Sequence, residues 1–222
     1  AGMRRNFQLT DAVKKGGRGG HDVSHIHVIG AGTMGGDIAA VAAMSGFEVT
    51  LQDISADAVD RAIERARTLY ERRLKAPQKV EAAMARLRAD AGGEGLASAD
   101  LLIEAVAEDL AIKKPVFADA ESKMKPGAIM ATNTSAIPLE DIGAVLNDPA
   151  RLIGMHFFNP VPVLPLVEVV YTDASDGSFV DRAMYVCGAL KKLPVRCKSA
   201  PGFLVNRALL PYVFKAVKAM LN

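Results

Sequence analysis

The feature of this sequence that most constrains its fold is a short glycine pattern, Gly30-Ala31-Gly32-Thr33-Met34-Gly35. An apolar run over residues 25–30 leads into it, and a stretch rich in small residues follows as far as Gly46. G-x-G-x-x-G between a strand and a helix is typical of dinucleotide-binding βαβ units. The first glycine allows a tight turn, the second admits a pyrophosphate, and the third lets the helix pack closely on the strand. A glycine-rich turn without a ligand is the alternative interpretation.

One acidic residue stands where such a unit holds the ribose of its cofactor. Residues 47–52 are predicted to form a second strand, and Asp53 follows it, roughly 20 residues after the first glycine. A carboxylate at this position hydrogen-bonds ribose hydroxyls and repels a 2′-phosphate. We therefore expect NAD, rather than NADP, as the cofactor. The residues of this unit expected to bind it are Gly30, Gly32, Thr33, Gly35 and Asp53.

Beyond this unit, short apolar runs alternate with longer helical patterns, which predicts an α/β fold of the Rossmann type. The predicted sheet is mostly parallel, with helices on both faces. Strands are predicted at 25–30, 47–52, 101–106, 128–132, 152–157, 166–170 and 194–197, and helices at 31–46, 110–124, 178–190 and 203–221. Residues 21–200 would form the dinucleotide-binding domain. Residues 1–20 would be a glycine-rich linker or the tail of a preceding element, and 201–222 the start of a C-terminal helical domain.

Two further helical patterns predict a helical hairpin inserted over about residues 56–92. Apolar residues recur at helical spacing at Val59, Ile63, Ala66, Tyr70 and Leu74 and, after Pro77, at Val80, Met84, Leu87 and Ala91. Basic residues outnumber acidic ones here: Arg61, Arg65, Arg67, Arg72, Arg73, Lys75, Lys79, Arg86 and Arg88 stand against Glu64, Glu71 and Glu81. Such a surface is either simply solvated or binds anionic groups.

Composition excludes several functional classes. The formal net charge of the 222 residues is +2, which does not favour nucleic acid as a partner. No apolar run approaches the roughly 20 residues that a membrane-spanning helix needs. Cys187 and Cys197 are too few for a disulfide framework and have no metal-ligand spacing, so no metal is expected. A cytoplasmic location of the bacterial type is the simplest expectation.

A histidine and a glutamate on neighbouring predicted strands form a candidate acid–base pair. His156 lies on the strand at 152–157 and Glu168 on the strand at 166–170, and Asn159-Pro160 between them favours a hairpin. A neutral imidazole can take a proton from a hydroxyl, and a carboxylate on its other nitrogen fixes the tautomer. A core histidine and a surface-facing glutamate are the alternatives that the residues alone leave open.

Four segments in this order resemble the L-3-hydroxyacyl-CoA dehydrogenases of fatty-acid β-oxidation: VIGAGTMGGDIA, ATNTSA, HFFNPV followed by LVEVV, and PGFLVNR. The resemblance covers residues 25–222. It implies NAD-dependent oxidation of an L-3-hydroxyacyl-CoA to the 3-ketoacyl-CoA. In that reaction His156 would be the general base and Glu168 its orienting partner, and Ser135 and Asn206 would hold the 3-oxygen of the substrate.

The resemblance also implies further residues around the dinucleotide: Met34, Glu104, Ala105, Val106, Ser135 and Asn159. Local structure alone could equally account for three residues, since Ser135 could serve a turn, Asn206 could cap the last helix, and Glu104 could simply end a strand. The basic hairpin could meet the phosphates of coenzyme A in the acyl-CoA substrate.

The last predicted helix departs from an ordinary surface helix because apolar residues cover nearly all its faces. The family continues beyond PGFLVNR into a helical domain, so we expect this chain to bind NAD, to turn over poorly, and to self-associate through 203–221. The glycine-rich start suggests a multifunctional parent with a hydratase region before this one. Another β-hydroxyacid dehydrogenase, or a non-catalytic nucleotide-binding module, remains the competing interpretation.

Overall fold

The computed structural model describes residues 22–221, so the predicted linker at 1–20 lies outside the described residues. Within this range eight strands form a single sheet: β1 (His25–Ile29), β2 (Glu48–Gln52), β3 (Leu87–Ala89), β4 (Leu101–Glu104), β5 (Ile129–Thr132), β6 (Leu152–Phe157), β7 (Leu166–Tyr171) and β8 (Leu193–Lys198). The helices are α1 (Thr33–Met44), α2 (Ala56–Leu74), α3 (Pro77–Arg86), α4 (Leu110–Lys123), α5 (Leu139–Gly143), α6 (Gly177–Ala189) and α7 (Val205–Leu221). Two short 3-10 helices, Glu94–Ala97 and Pro149–Arg151, complete the described elements.

The strand order, β3-β2-β1-β4-β5-β6-β7-β8, confirms the predicted α/β fold of the Rossmann type. Strands β1 to β6 pair in parallel, β7 runs antiparallel to β6, and β8 is parallel to β7. Strands β2 and β3 follow on one side of β1, and the chain then crosses to β4 on the other side of β1. A switch of this kind opens a crevice at the carboxyl ends of the central strands, where open α/β sheets bind ligands.

Buried apolar residues cover both faces of the sheet. Ile26 and Val28 of β1 belong to the cluster that includes α1, α2 and α6, whereas Leu102 of β4 belongs to the cluster that includes α4 and α5. The small residues of α1 let α2 approach closely enough for the Tyr70 hydroxyl to donate a hydrogen bond to the Ala40 carbonyl at 2.9 Å. Helices therefore lie on both faces, as predicted.

The helical hairpin is present as α2 and α3, but its predicted end is wrong. The second helix stops at Arg86 instead of continuing past Ala91, and Leu87–Ala89 forms β3 alongside β2. The outer edge of β2 offers unpaired backbone groups, and β3 satisfies them while burying Leu87. Leu87 fits the helical spacing and equally the inward-facing position of a short strand, so periodicity could not separate a longer helix from a helix followed by a strand.

The last helix, α7, begins at Val205, after a buried Phe203. Several of its large apolar side chains, and Leu204 before it, are exposed: Leu204, Leu209, Leu210, Tyr212, Val213, Phe214, Val217 and Met220. No helix within residues 22–221 has the length and apolar character needed to cross a bilayer.

Candidate active site

The glycine turn has the geometry that the sequence pattern predicts. Gly30 has a φ of +105°, and a Cβ there would lie 2.5 Å from the carbonyl oxygen of Ala105. A Cβ on Gly35 would lie 1.8 Å from the carbonyl oxygen of Gly30, whereas a Cβ on Gly32 would meet nothing within 4 Å. Gly30 and Gly35 are therefore required by packing inside the protein. Gly32 instead leaves the turn open to a ligand.

The N-terminus of α1 and Asp53 face the same crevice. Gly32 is the N-cap of α1 and provides no side chain to cap it, which leaves backbone N–H groups for an anion. The Asp53 carboxylate accepts hydrogen bonds from the N–H groups of Ala31, at 2.6 Å, and Ser55, at 2.9 Å. These bonds hold Asp53 at the end of β2, beside the turn.

A cleft of about 400 Å³ lies next to this turn and has one polar and one apolar wall. Gly32, Gln52 and Asp53 line one side, and Ile112 and Val116 of α4 line the other. The apolar wall suits an adenine ring, Asp53 suits a ribose, and the open helix N-terminus suits a pyrophosphate. These residues fit the adenosine half of NAD.

His156 and Glu168 lie directly opposite each other on β6 and β7, as the predicted hairpin requires. The Nδ1 atom of His156 lies 2.7 Å from Oε2 of the fully buried Glu168. The other oxygen, Oε1, accepts hydrogen bonds from the N–H groups of Leu204, at 2.9 Å, and Val205, at 2.7 Å. Burial raises the pKa of Glu168, but His156 and these two N–H groups outweigh it and lower the pKa overall. Glu168 is therefore an anion that aims one ring nitrogen of His156.

Two aromatic rings fix the plane of the His156 imidazole. The Phe158 ring centroid lies 4.5 Å from that of His156, and the Phe203 centroid lies 5.8 Å from it. Phe203 belongs to the PGFLVNR segment and is buried. With Nδ1 held by Glu168, Nε2 is the ring nitrogen left for a ligand.

A second cavity, of about 340 Å³, brings together most of the residues that the family resemblance places at the substrate or around the dinucleotide. Its lining residues are Met34, Ala105, Val106, Glu108, Lys113, Asn133, Ser135, His156, Phe157, Phe158 and Asn159. Asn206 is not one of them: it lies on the first turn of α7, next to Val205, whose N–H group binds Glu168. Thr33 opens α1 at the glycine turn.

Glu108 is a site residue that the sequence did not reveal. Its Oε1 accepts hydrogen bonds from the Ser135 N–H at 2.7 Å, the Ser135 hydroxyl at 3.2 Å and the Thr134 hydroxyl at 2.7 Å. Burial raises the pKa of Glu108, but Thr134 and Ser135 outweigh it and lower the pKa overall. The only sequence signal of Glu108 is its position just before a predicted helix, where helix capping also favours acidic residues.

Glu104, expected near the dinucleotide, is fully buried and is bound by protein groups. Its Oε1 accepts from the Lys113 ammonium at 2.7 Å and its Oε2 from the Thr132 hydroxyl at 2.7 Å. Lys113 is itself buried and lines the cavity, 3.4 Å from the second oxygen of Glu108. Glu104 thus holds Lys113 in place, and direct contact between Glu104 and the cofactor stays a prediction.

The fold and the site together define a dinucleotide-binding domain of the dehydrogenase type. A glycine turn and an acidic strand end face a cleft for adenosine, and a carboxylate-held histidine lies in the adjoining cavity.

Comparison with known proteins agrees with this class and narrows it. Residues 25–200 match the family described as 3-hydroxyacyl-CoA dehydrogenase, NAD binding domain. The chain is 41% identical to 3-hydroxyadipyl-CoA dehydrogenase of Escherichia coli (strain K12), over 90% of this chain and 43% of that protein. It is 37% identical to fatty acid oxidation complex subunit alpha of Acinetobacter baylyi, over 95% of this chain and 30% of that protein.

A solved structure shows the same fold. The crystal structure of 3-hydroxybutyryl-CoA dehydrogenase from Escherichia coli K12 superposes with a TM-score of 0.87 at 41% identity, over 90% of this chain and 43% of that chain. The chain belongs to the 3-hydroxyacyl-CoA dehydrogenase family and contains its NAD-binding domain. It spans less than half the length of each of these three relatives.

Proposed function

We propose that this chain carries the NAD-binding and proton-accepting part of an enzyme that oxidises L-3-hydroxyacyl-CoA to 3-ketoacyl-CoA in fatty-acid β-oxidation. The observation that carries the proposal is the His156–Glu168 pair, with a 2.7 Å contact, in the cavity next to the glycine turn. A proton acceptor beside a dinucleotide site is what oxidation of an alcohol by hydride transfer requires.

The geometry assigns a separate task to each nitrogen of His156. Ionised Glu168 only accepts hydrogen bonds, so Nδ1 carries a proton and Nε2 has a free lone pair. Nε2 takes the hydroxyl proton of the substrate as the C3–H bond breaks and the C3=O bond forms. NAD, which Gly32 and Asp53 would hold, would supply the acceptor for the hydride that leaves C3. Glu168 then stabilises the imidazolium cation, which returns its proton to solvent.

Ser135 and Asn206 are proposed to hold the substrate's 3-oxygen during this step. Ser135 lines the His156 cavity, and Glu108 fixes both its backbone N–H and its hydroxyl. Glu108 is thereby a positioning residue for Ser135. Asn206 lies on the helix turn that Glu168 caps, so its placement depends on the same carboxylate that aims His156.

We infer that the coenzyme A part of the substrate lies against the helical hairpin. A cleft of about 220 Å³ separates α2 from the loop after β6, and Arg65, Thr68, Arg72 and Pro160 are among its lining residues. Guanidinium groups bind phosphates well, and two of the relatives compared with this chain are named as acting on CoA thioesters. The basic residues of the hairpin thus support an acyl-CoA over a free hydroxyacid.

One experiment separates this function from its alternatives. Reduction by NADH is measured with acetoacetyl-CoA and with free acetoacetate, using the unchanged chain and His156→Gln. We expect slow turnover with the CoA thioester, loss of that turnover in His156→Gln, and equal NADH affinity for the two proteins. Preference for free acetoacetate would favour another β-hydroxyacid dehydrogenase. NADH binding without turnover of either substrate, even in a chain extended by the family's C-terminal helical domain, would favour a non-catalytic module.

We also propose that a second copy of this chain covers α7. Phe214 and Tyr212 are 69% and 74% exposed, and such large apolar surfaces mark contact sites. Light scattering should show a dimer that Phe214→Glu dissociates and that Val145→Glu, a matched change at another exposed apolar residue, leaves intact. A monomer at high concentration would contradict this proposal.

A cytoplasmic location also stays a proposal, which cell fractionation would test.

A further inference from the structure

A half-buried asparagine of the catalytic cavity has a side chain whose direction the protein fixes. Asn133 comes directly after β5 and lines the 340 Å³ cavity. Its Oδ1 accepts a hydrogen bond from the Phe157 N–H at 2.9 Å. Because a backbone N–H can only donate, this end of the amide is the oxygen and the other end is the NH₂ group. The proton transfer proposed for His156 gives this NH₂ group no task.

The NH₂ group of Asn133 is a donor that the described part of the chain leaves free. Within residues 22–221, every buried side-chain nitrogen and oxygen has a hydrogen-bond partner. Nδ2 of Asn133 has no acceptor among these residues, so it is not buried and is accessible from the cavity that Asn133 lines. A free donor at such a position suits an acceptor oxygen of a ligand.

Asn133 is held from both sides by neighbouring strands of the sheet. Its backbone N–H donates to the Glu104 carbonyl at the end of β4, at 2.8 Å, and its side chain accepts the Phe157 N–H at the end of β6. Strand β5 lies between these two strands. The position of Nδ2 is therefore set before any ligand binds, and a donor that is already ordered loses little entropy on binding.

The catalytic cavity and the adenosine cleft share one stretch of wall. Ala105 and Val106, just after β4, line both the 400 Å³ cleft and the 340 Å³ cavity. A dinucleotide whose adenosine half lies in the cleft would therefore reach the cavity past these two residues, with its nicotinamide inside. The nicotinamide ring carries a carboxamide, whose oxygen needs a donor once water is excluded.

The other donors of the cavity are less suited to this oxygen. The N–H and the hydroxyl of Ser135 both donate to Glu108, and the Lys113 ammonium lies between two carboxylates. Asn159 is exposed, and no hydrogen bond with the described residues sets the direction of its amide. Asn133 is thus the amide of this cavity whose donor end the described structure fixes.

We propose that Asn133 is a cofactor-binding residue whose NH₂ group donates a hydrogen bond to the carboxamide oxygen of the nicotinamide. The inference rests on the NAD-binding part of the proposed function and not on the chemical step assigned to His156. The bond fixes the rotation of the ring about its bond to the ribose, and thereby which face of the ring meets the substrate. An acceptor in place of this donor should repel the carboxamide oxygen.

The test compares NADH with ADP-ribose, which has no nicotinamide. Asn133→Asp keeps an acceptor oxygen for the Phe157 N–H and replaces the NH₂ group by a second carboxylate oxygen. In calorimetric titrations at about pH 8, where the new carboxylate is ionised, NADH should bind about fivefold or more weakly, and ADP-ribose should bind as before. NADH is the probe because its ring is uncharged, so the carboxylate does not attract it. Reduced 3-acetylpyridine adenine dinucleotide keeps the oxygen and should lose the same factor.

Asn147→Asp is the matched control. It makes the same change in an exposed amide that donates to Glu121 outside the cavity, and it should bind both ligands like the unchanged chain. Equal losses of affinity for NADH and ADP-ribose in Asn133→Asp would overturn the proposal, because the effect would not involve the nicotinamide. Unchanged NADH affinity would also overturn it, and a raised KM for acetoacetyl-CoA beside it would assign the amide to the thioester oxygen of the substrate.

A measurement on the unchanged chain covers the case in which Asn133→Asp does not fold. In nitrogen-15 NMR, the side-chain NH₂ signal of Asn133 should shift when NADH is added and stay in place when ADP-ribose is added. Identical shifts with the two ligands would overturn the proposal. Neither measurement requires turnover, so a failure here leaves the proposed function standing, and His156→Gln tests that function separately.

Discussion

Replacing Glu168 by glutamine should impair proton transfer much more than folding. In the native site Oε2 faces Nδ1 of His156, and Oε1 accepts from the N–H groups of Leu204 and Val205. A glutamine has one acceptor oxygen, and two backbone donors at one end compete for it. We therefore expect the amide oxygen to stay with Leu204 and Val205, while the amide NH₂ faces His156.

This orientation forces the wrong tautomer on the base. Nδ1 must accept from the amide, so the ring proton moves to Nε2, the atom that should take the proton from the substrate. General-base catalysis contributes about 10²–10⁴-fold, so Glu168→Gln should slow hydride transfer by that factor, about 3–5 kcal/mol of barrier. The loss of one charge-assisted hydrogen bond should cost about 1.5–3 kcal/mol of unfolding free energy.

Glu168→Ala provides the matched comparison. It removes the cap of α7 as well and leaves three donors without this acceptor, so it should slow hydride transfer at least as much and cost at least about 3 kcal/mol in stability. The assays are single-turnover NADH oxidation by acetoacetyl-CoA and urea unfolding. The lowered pKa of Glu168 contributes stability that is lost as pH falls through acid values, and both variants should lack that contribution. A Glu168→Gln rate within about threefold of the unchanged chain would refute the assigned tautomer.

Four further substitutions test other parts of the site. Asp53→Ala should narrow the difference between NAD and NADP dissociation constants, whereas an unchanged ratio would count against the ribose role. Gly35→Ala should lower the free energy of unfolding by about 3 kcal/mol or more, because its Cβ would lie 1.8 Å from a backbone oxygen. Gly32→Ala should leave urea unfolding unchanged, because its Cβ would meet no protein atom within 4 Å, and should weaken NAD binding. Glu108→Gln should lower kcat by about tenfold with little change in NADH affinity, because it loosens Ser135, and an unchanged kcat would remove Glu108 from the site.

The parts of this site that can be predicted from the sequence are those fixed by local rules. Gly30 and Gly35 have steric requirements that only glycine meets, and Asp53 follows its strand at a fixed offset. The His156–Glu168 pairing is also predictable, because the prolines between two short apolar runs favour a hairpin. Each of these depends on residues close together in the chain or on a repeated structural unit.

The parts that sequence patterns miss depend on contacts between distant segments. Glu108 meets Ser135 across 27 residues, and only the order of β4 and β5 in the sheet brings them together. The family resemblance places Glu104 near the dinucleotide, but β4 is buried on both faces, so no alternation of polar and apolar residues shows where its carboxylate points. Strand β3 could not be predicted, because it has only three residues. An alternation of polar and apolar residues this short cannot be distinguished from the last turn of the preceding helix.

The proposed function depends above all on one step, hydride transfer between NAD and C3 of an acyl-CoA with His156 as the base. The most direct test is to incubate the chain with acetoacetyl-CoA and NADH deuterated at C4 of the nicotinamide, and to locate the label by mass spectrometry. We expect deuterium at C3 of the 3-hydroxybutyryl-CoA product, and no labelled product from His156→Gln with unchanged NADH affinity. Equal labelling by His156→Gln, or no label on C3 with the unchanged chain, would contradict the proposed function.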